Sequence, residues 1–125
     1  ALFDQSLAED DQSVWSTFGQ AYQAAAAGDV DRVLEITDRL ESRNVVDGER
    51  RYRLAHFYAL IGEQDAALRN LEASIESGFF NYPYIASDPL LESLRTTRDW
   101  ELLLERAEIR HSAFRQSFAG KLGSN

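Results

Sequence analysis

The sequence contains two histidines, whose imidazole rings can serve acid–base or metal chemistry. His111 follows Glu108 by three residues in an apolar helical pattern, so both side chains share one helix face. Glu-x-x-His is half of a carboxylate di-iron site, which also needs a second such pair and further glutamates from facing helices. No second pair occurs in the sequence. The pattern therefore favours a partly buried structural histidine.

Other motifs of catalysis and metal binding are absent or incomplete. The sequence contains no cysteine, which excludes disulfides, thiol catalysis and zinc–thiolate sites. It also lacks a phosphate-binding glycine loop, His-Glu-x-x-His and a nucleophile elbow. Asp29 and Asp31 have the spacing of a calcium loop without its later glycine and glutamate, so turn capping explains them. We therefore expect a non-enzymatic protein with no cofactor and no metal site.

Composition and charge limit the classes of partner that this chain could bind. The chain has 125 residues, of which 44% are apolar and two are proline, as in one ordered domain. Its net charge is −8, and residues 1–38 carry eight acids against one base, which disfavours nucleic acid and anionic membranes. No apolar run approaches the ~20 residues of a membrane span, so we expect no membrane insertion. This excess of acidic residues either attracts a basic partner or only keeps the chain soluble.

Apolar side chains recur at helical spacing along most of the chain, which predicts an all-α fold. We expect a loose N-terminal arm over 1–10 and one helical domain over 11–118. That domain comprises hairpins over 11–43 and 47–77 and terminal helices over 88–118, with a C-terminal tail over 119–125. The expected helix N-caps are Asp11, Asp29, Asp47 and Asp88, the last of which precedes Pro89.

We expect a close contact between the two helices of the second hairpin. Ala55 and Ala67 fall where its two helices cross, and such small side chains let helix axes approach to about 8 Å. Gly62 follows the last apolar residue of the first helix, where a left-handed C-terminal conformation is least costly for glycine. This pattern predicts two short antiparallel helices.

The order of residue types in RYRLAHFYALIGEQDAALRNLEASIES, residues 51–77, resembles the tetratricopeptide repeat, a helix-turn-helix unit of 34 residues. The first helix of the first hairpin has residue types in the same order as that repeat, namely Trp15, Phe18, Gly19 and Tyr22. The string DPLLESLRTTRDWELLL resembles the segment that often closes such arrays in bacterial proteins. The resemblance implies a short right-handed α-α solenoid of two hairpins, a terminal short helix and a long capping helix. Val33 stands where the family has alanine, so we expect a looser crossing in the first hairpin.

The resemblance also implies a binding surface, because the first helix of each tetratricopeptide repeat lines a concave groove. It directs five polar or aromatic residues toward a partner: Gln20, Gln23, Glu49, Tyr52 and His56. This mixture suits an extended peptide or a helix. The alternative is that these residues are ordinary solvated side chains or contact the aromatic segment that follows the second hairpin.

That aromatic segment contains Phe79, Phe80, Tyr82 and Tyr84 beside glycine and proline, so we expect no regular helix there. It could fold back as a plug at the end of the groove, form a small-ligand pocket, or provide an exposed dimer contact. We favour the plug, because a terminal unit must cover the apolar face of its neighbour.

The leading functional hypothesis is a protein-interaction or scaffolding module that binds a protein or peptide on its concave face. The alternative is an accessory or structural domain cut from a larger, exported bacterial enzyme. The chain begins at Ala1 without methionine, which is expected after removal of a signal peptide or excision of a domain. A third hypothesis is a helical carrier of small molecules or lipid that uses the aromatic segment.

Overall fold

The computed structural model describes residues 2–42, 47–79 and 81–123. Over these ranges the chain forms helices and no strand, which confirms the all-α prediction. The helices are α1 (Leu2–Ala26), α2 (Val30–Ser42), α3 (Gly48–Leu60), α4 (Gln64–Glu76), α5 (Tyr82–Ser87), a 3-10 helix (Pro89–Leu94) and α6 (Arg98–Gly123).

The chain divides into two compact units, Ala1–Val45 and Val46–Asn125. The first unit contains α1 and α2, and the second contains α3 through α6. The single domain over 11–118 and the solenoid stay predictions.

The first unit is a helical hairpin whose first helix is longer than predicted. Helix α1 begins at Leu2, so residues 2–10 of the expected loose arm are helical and Asp11 is not the start of a helix. Nothing in the sequence between Leu2 and Asp11 stops a helix, since neither glycine nor proline occurs there. Gly28, with φ of 74°, makes the turn. Among the side chains of this unit whose burial the structure describes, the buried apolar ones are Val14, Phe18, Ala21, Ala24, Val33, Ile36 and Leu40.

The second unit is built on the hairpin of α3 and α4, as predicted. Gly62 has φ of 83°, the left-handed conformation expected at the turn. Ala55 and Ala67 have no exposed surface, and both belong to the apolar core of this unit. Asp47 caps α3 by accepting a hydrogen bond from the backbone N–H of Glu49 at 2.8 Å. The predicted cap is therefore confirmed.

The terminal helices complete the second unit. The Asp88 side chain caps the segment that begins at Pro89, as predicted, although that segment is a 3-10 helix. Helix α6 buries Trp100, Leu103 and Ala107 in the same core as α3 and α4. This helix runs to Gly123, so residues 119–123 are helical where we expected a tail.

The aromatic segment also contains a helix that the sequence analysis excluded. Helix α5 spans six residues, Tyr82–Ser87. The Asn81 side chain caps it by accepting a hydrogen bond from the backbone N–H of Tyr84 at 3.3 Å. Pro83 falls within the first turn, where its missing N–H costs no helical hydrogen bond. The expectation of irregular chain here was therefore wrong.

Candidate functional site

Three polar side chains meet inside the second unit, and we refer to Tyr52, His56 and Asp88 as the polar cluster. Tyr52 and His56 lie one turn apart on α3, while Asp88 caps the 3-10 helix. The Tyr52 hydroxyl donates to Asp88 Oδ2 at 2.5 Å, and His56 Nε2 lies 2.6 Å from the same oxygen. The other oxygen, Oδ1, accepts from the backbone N–H of Leu90 at 3.0 Å. One carboxylate thus joins α3 to the terminal helices.

The environment of the polar cluster sets the charge of its members. Burial lowers the pKa of His56, which outweighs the hydrogen bond and negative charge of Asp88, and the nearby Arg53 lowers it further. Burial alone would raise the pKa of Asp88, but hydrogen bonds from Tyr52, His56 and Leu90 lower it overall. We therefore assign an ionised Asp88 that accepts a hydrogen bond from the Nε2–H of a neutral His56.

The polar cluster is closed to solvent. Tyr52, His56 and Asp88 are only 2%, 4% and 6% exposed. A catalytic acid or base must reach the proton that it transfers, and a binding residue must reach its ligand. The arrangement therefore stabilises the fold as a fully hydrogen-bonded buried network.

This burial corrects the position predicted for Tyr52 and His56. We expected both on an open groove, because they lie off the face through which α3 packs on α4. The structure instead covers that side of α3 with Phe79, Tyr84 and Asp88. For Tyr52 this agrees with the alternative of contact with the aromatic segment, whereas His56 contacts Tyr52 and Asp88.

Aromatic rings of the segment after α4 pack against Tyr52 of the polar cluster. The ring centroid of Tyr52 lies 4.6 Å from that of Phe79, 4.7 Å from that of His56 and 5.8 Å from that of Tyr84. Phe79 and Tyr84 meet edge to face at 6.3 Å. The aromatic segment thus packs against α3, and its role as a plug at the end of a groove stays a prediction.

The aromatic residues differ in exposure. Tyr82 and Phe79 are half-buried against the core, whereas Tyr84 is 52% exposed. Phe80, which we predicted as part of the same patch, lies outside the described residues.

A glycine allows the aromatic segment to approach α3 closely. A Cβ atom added to Gly48 would lie 3.1 Å from Phe79 Cβ and 3.1 Å from the Ser74 carbonyl oxygen. Both distances are tighter than ordinary van der Waals contact, so a larger residue at position 48 would push the Phe79 backbone away.

The other predicted partner-binding residues are exposed. Gln20 and Gln23 lie on α1 in the first unit, where the Gln20 side chain accepts from Arg32 Nη2 at 3.4 Å. Glu49 lies in the first turn of α3 and forms an ion pair of 3.6 Å with Arg53. Exposed ion pairs and hydrogen bonds of this kind exchange readily with water. Their role in binding a partner stays a prediction.

His111 is half-buried on α6, as the sequence analysis expected. Within the described residues, no three histidine, aspartate or glutamate side chains are grouped so that they could hold a metal ion. Over the same part of the chain, no helix combines the length and apolar character needed to cross a bilayer.

Comparison with known proteins finds a similarity over part of the chain. No family model matches the chain, and no solved structure matches it. A chloroplastic protein of Arabidopsis thaliana is 36% identical to it over 55 residues. These residues are 44% of this chain, and they cover 16% of the length of that protein.

Proposed function

We propose that this chain is a non-enzymatic, tetratricopeptide-like module that binds a protein or peptide. The observation that carries this proposal is the hairpin of α3 and α4, two helices of 13 residues each with alanines fully buried in both. Short helix pairs with small residues at the crossing are the units of helical repeat proteins, which use their exposed helix faces to bind partners.

The polar cluster decides which residues of α3 are available to a partner. Because Tyr52 and His56 are sealed, the proposed binding residues are the exposed ones: Gln20 and Gln23 in the first unit and, separately, Glu49 in the second. The excess of acids in residues 1–38 favours a partner with basic character.

Exposed apolar side chains also support an interaction role. Large apolar residues that are more than a third exposed occur in both units, and they include Trp15, Val30 and Leu34 in the first and Leu60, Tyr84 and Leu102 in the second. Aromatic and aliphatic side chains held by helices are typical anchors of protein interfaces.

Affinity capture with matched surface variants tests this proposal. We would compare the wild-type chain with a Gln23→Arg, Glu49→Arg variant and with an Asp65→Arg, Glu105→Arg control. All four positions are exposed, so each variant should keep the fold. The first variant should lose a partner that the wild type and the control both retain.

Binding should then be reproduced by calorimetry with that partner in purified form. A partner list that is identical for all three chains would contradict binding through these residues. Variants of Tyr52 or His56 are unsuitable here, because their loss would disturb a buried network.

A second candidate is an accessory module within a longer polypeptide. The observation that favours it is the partial match, which covers only 16% of the length of the chloroplastic protein. Sequencing of the full transcript tests it. A reading frame that extends through a further folded domain would support this candidate, and one that encodes little beyond residues 1–125 would contradict it.

A further inference from the structure

A cleft in the second unit is lined by aromatic, amide and guanidinium groups, and none of the binding residues proposed above is among them. It runs between Gly78, Phe79 and Asn81 on one side and the C-terminal half of α6 on the other, with a volume of about 290 Å³. The lining residues are Gly78, Phe79, Asn81, His111, Phe114 and Arg115.

Phe79, on the first wall of the cleft, is held in place by two contacts. Its ring packs on Tyr52, which is itself fixed by its hydrogen bond to Asp88. The backbone N–H of Phe79 donates to the Ser74 carbonyl oxygen at 2.9 Å. A residue held in this way loses little conformational entropy when a ligand binds.

The second wall is the part of α6 that extends past the core. Ala107 has no exposed surface, His111 is half-buried, and Phe114 is 59% exposed. Phe79 and Phe114 thus give the cleft an aromatic ring on each side. Aromatic rings and arginine are enriched at protein interfaces because they combine apolar surface with specific polar contacts.

The polar groups at the cleft favour an anion. Arg115 forms no ion pair within the part of the chain that the structure describes. Asn81 uses its Oδ1 to cap α5, which leaves its amide group with no partner among the described residues. A guanidinium and an amide N–H₂ are both donors, and together they suit a carboxylate.

Arg115 differs from the other arginines in this half of α6. Arg106 and Arg110 are ion-paired with Glu72 and Glu76, whereas Arg115 has no carboxylate partner among the described residues. At physiological ionic strength the Debye length is about 8 Å, so Arg115 acts most strongly on a ligand charge bound close to it.

We propose that this cleft binds a segment of a partner protein in which a large apolar side chain stands next to an aspartate or glutamate. The apolar side chain lies between Phe79 and Phe114, and the carboxylate receives hydrogen bonds from Arg115 and Asn81. This inference rests on the proposed function only in taking the ligand to be a protein.

NMR titration of the isotope-labelled full chain with two matched dipeptides tests the proposal. The probe is acetyl-Glu-Phe-amide, and the control is acetyl-Gln-Phe-amide, which has the same shape without the charge. For a ligand of this size we expect a Kd on the order of 1 mM. The backbone signals of Gly78, Asn81 and residues 111–115 should shift on addition of the probe.

The glutamate probe should bind about two- to fivefold more tightly than the glutamine control, as expected for one exposed charge pair. Arg115→Gln should remove this difference and leave the affinity for the control unchanged. Arg69→Gln, a change at an exposed arginine of α4, should preserve the difference.

Equal binding of the two dipeptides, or no shift in the named signals at about ten times the expected Kd, would overturn the proposal. Self-association of the free chain that Arg115→Gln abolishes would also overturn it, since the occupant would then be a second copy. These outcomes are separate from those of the capture experiment, because Gln23 and Glu49 are not among the residues that line the cleft.

Discussion

Helices α2 and α3 have the same length of 13 residues, but the two units bury them differently. Helix α2 buries four residues along one stripe, whereas α3 buries eight. Within its own unit α2 packs on one helix, α1. Helix α3 is enclosed by α4 on one side and by the aromatic segment and 3-10 helix on the other.

The comparison shows that an additional layer changes the role of polar residues in the same kind of hairpin. Exposed residues of α1, such as Gln20 and Gln23, remain available to a partner. Tyr52 and His56 are polar too, but the terminal helices cover them and supply Asp88 as their acceptor. Residues of similar type therefore lie exposed in one unit and within a buried network in the other.

The largest effect should follow removal of α6, the helix that completes the enclosed core. Deleting residues 98–125 takes Trp100 and Leu103 out of that core and should lower the free energy of unfolding by more than about 5 kcal/mol. Urea denaturation followed by circular dichroism measures the loss. An unchanged denaturation midpoint would show that α6 is not part of the core.

The next largest effect concerns two aspartates that both cap helices. Asp88→Ala should cost about 3 kcal/mol, because it leaves buried donors on Tyr52 and His56 without an acceptor. Asp47→Ala removes an exposed cap and should cost about 1 kcal/mol. Equal losses in urea denaturation would mean that Asp88 acts only as a cap.

A pair of alanines compares the helix contacts of the two hairpins. Ala67 and Ala21 both have no exposed surface, the first in α4 and the second in α1. Ala67→Leu should cost about 1 to 3 kcal/mol by overpacking, since α3 is enclosed and has little room to move. Ala21→Leu should cost less, because α2 can shift outward. A larger loss of thermal stability for Ala21→Leu would reverse this comparison.

The smallest effect is a dependence of stability on pH through His56. Its pKa in the folded chain lies below the ordinary value of 6.5, so the unfolded chain takes up a proton first as the pH falls. The contribution of neutral His56 is complete above pH 6.5 and is lost as the pH falls toward its lower native pKa.

The expected slope is at most about 1.4 kcal/mol per pH unit. Urea denaturation between pH 7.5 and 5.5 measures it, and His56→Gln should reduce the slope. His111→Gln, which changes the half-buried histidine, serves as the matched control. A slope that depends on His111 and not on His56 would contradict this assignment.

Local features of this fold could be predicted from the sequence because each depends on neighbouring residues. Helical spacing predicted α2, α3 and α4, while Gly62 and the aspartates at 47 and 88 predicted where turns and helices lie. The start of α1 was missed because the sequence between residues 2 and 10 is weakly periodic yet contains no helix breaker.

The candidate site was harder to predict because it depends on contacts between distant residues. Asp88 lies 36 residues after Tyr52 and 32 after His56, and no local pattern pairs them. Local sequence explained Asp88 fully as a helix cap, so its second role had no signal. Likewise, the amphipathic pattern of α3 distinguished one packing face but could not show that the aromatic segment covers another.

Neutral His56 donating a hydrogen bond to Asp88 is the contact on which the enclosed second unit depends. Its most direct test is NMR measurement of the ¹⁵N chemical shifts and proton exchange of the His56 ring. We expect the Nε2–H tautomer with a slowly exchanging ring proton near pH 6, and loss of that protection in Asp88→Asn. A ring that exchanges at the solvent rate and titrates at the ordinary pKa of 6.5 would contradict the account.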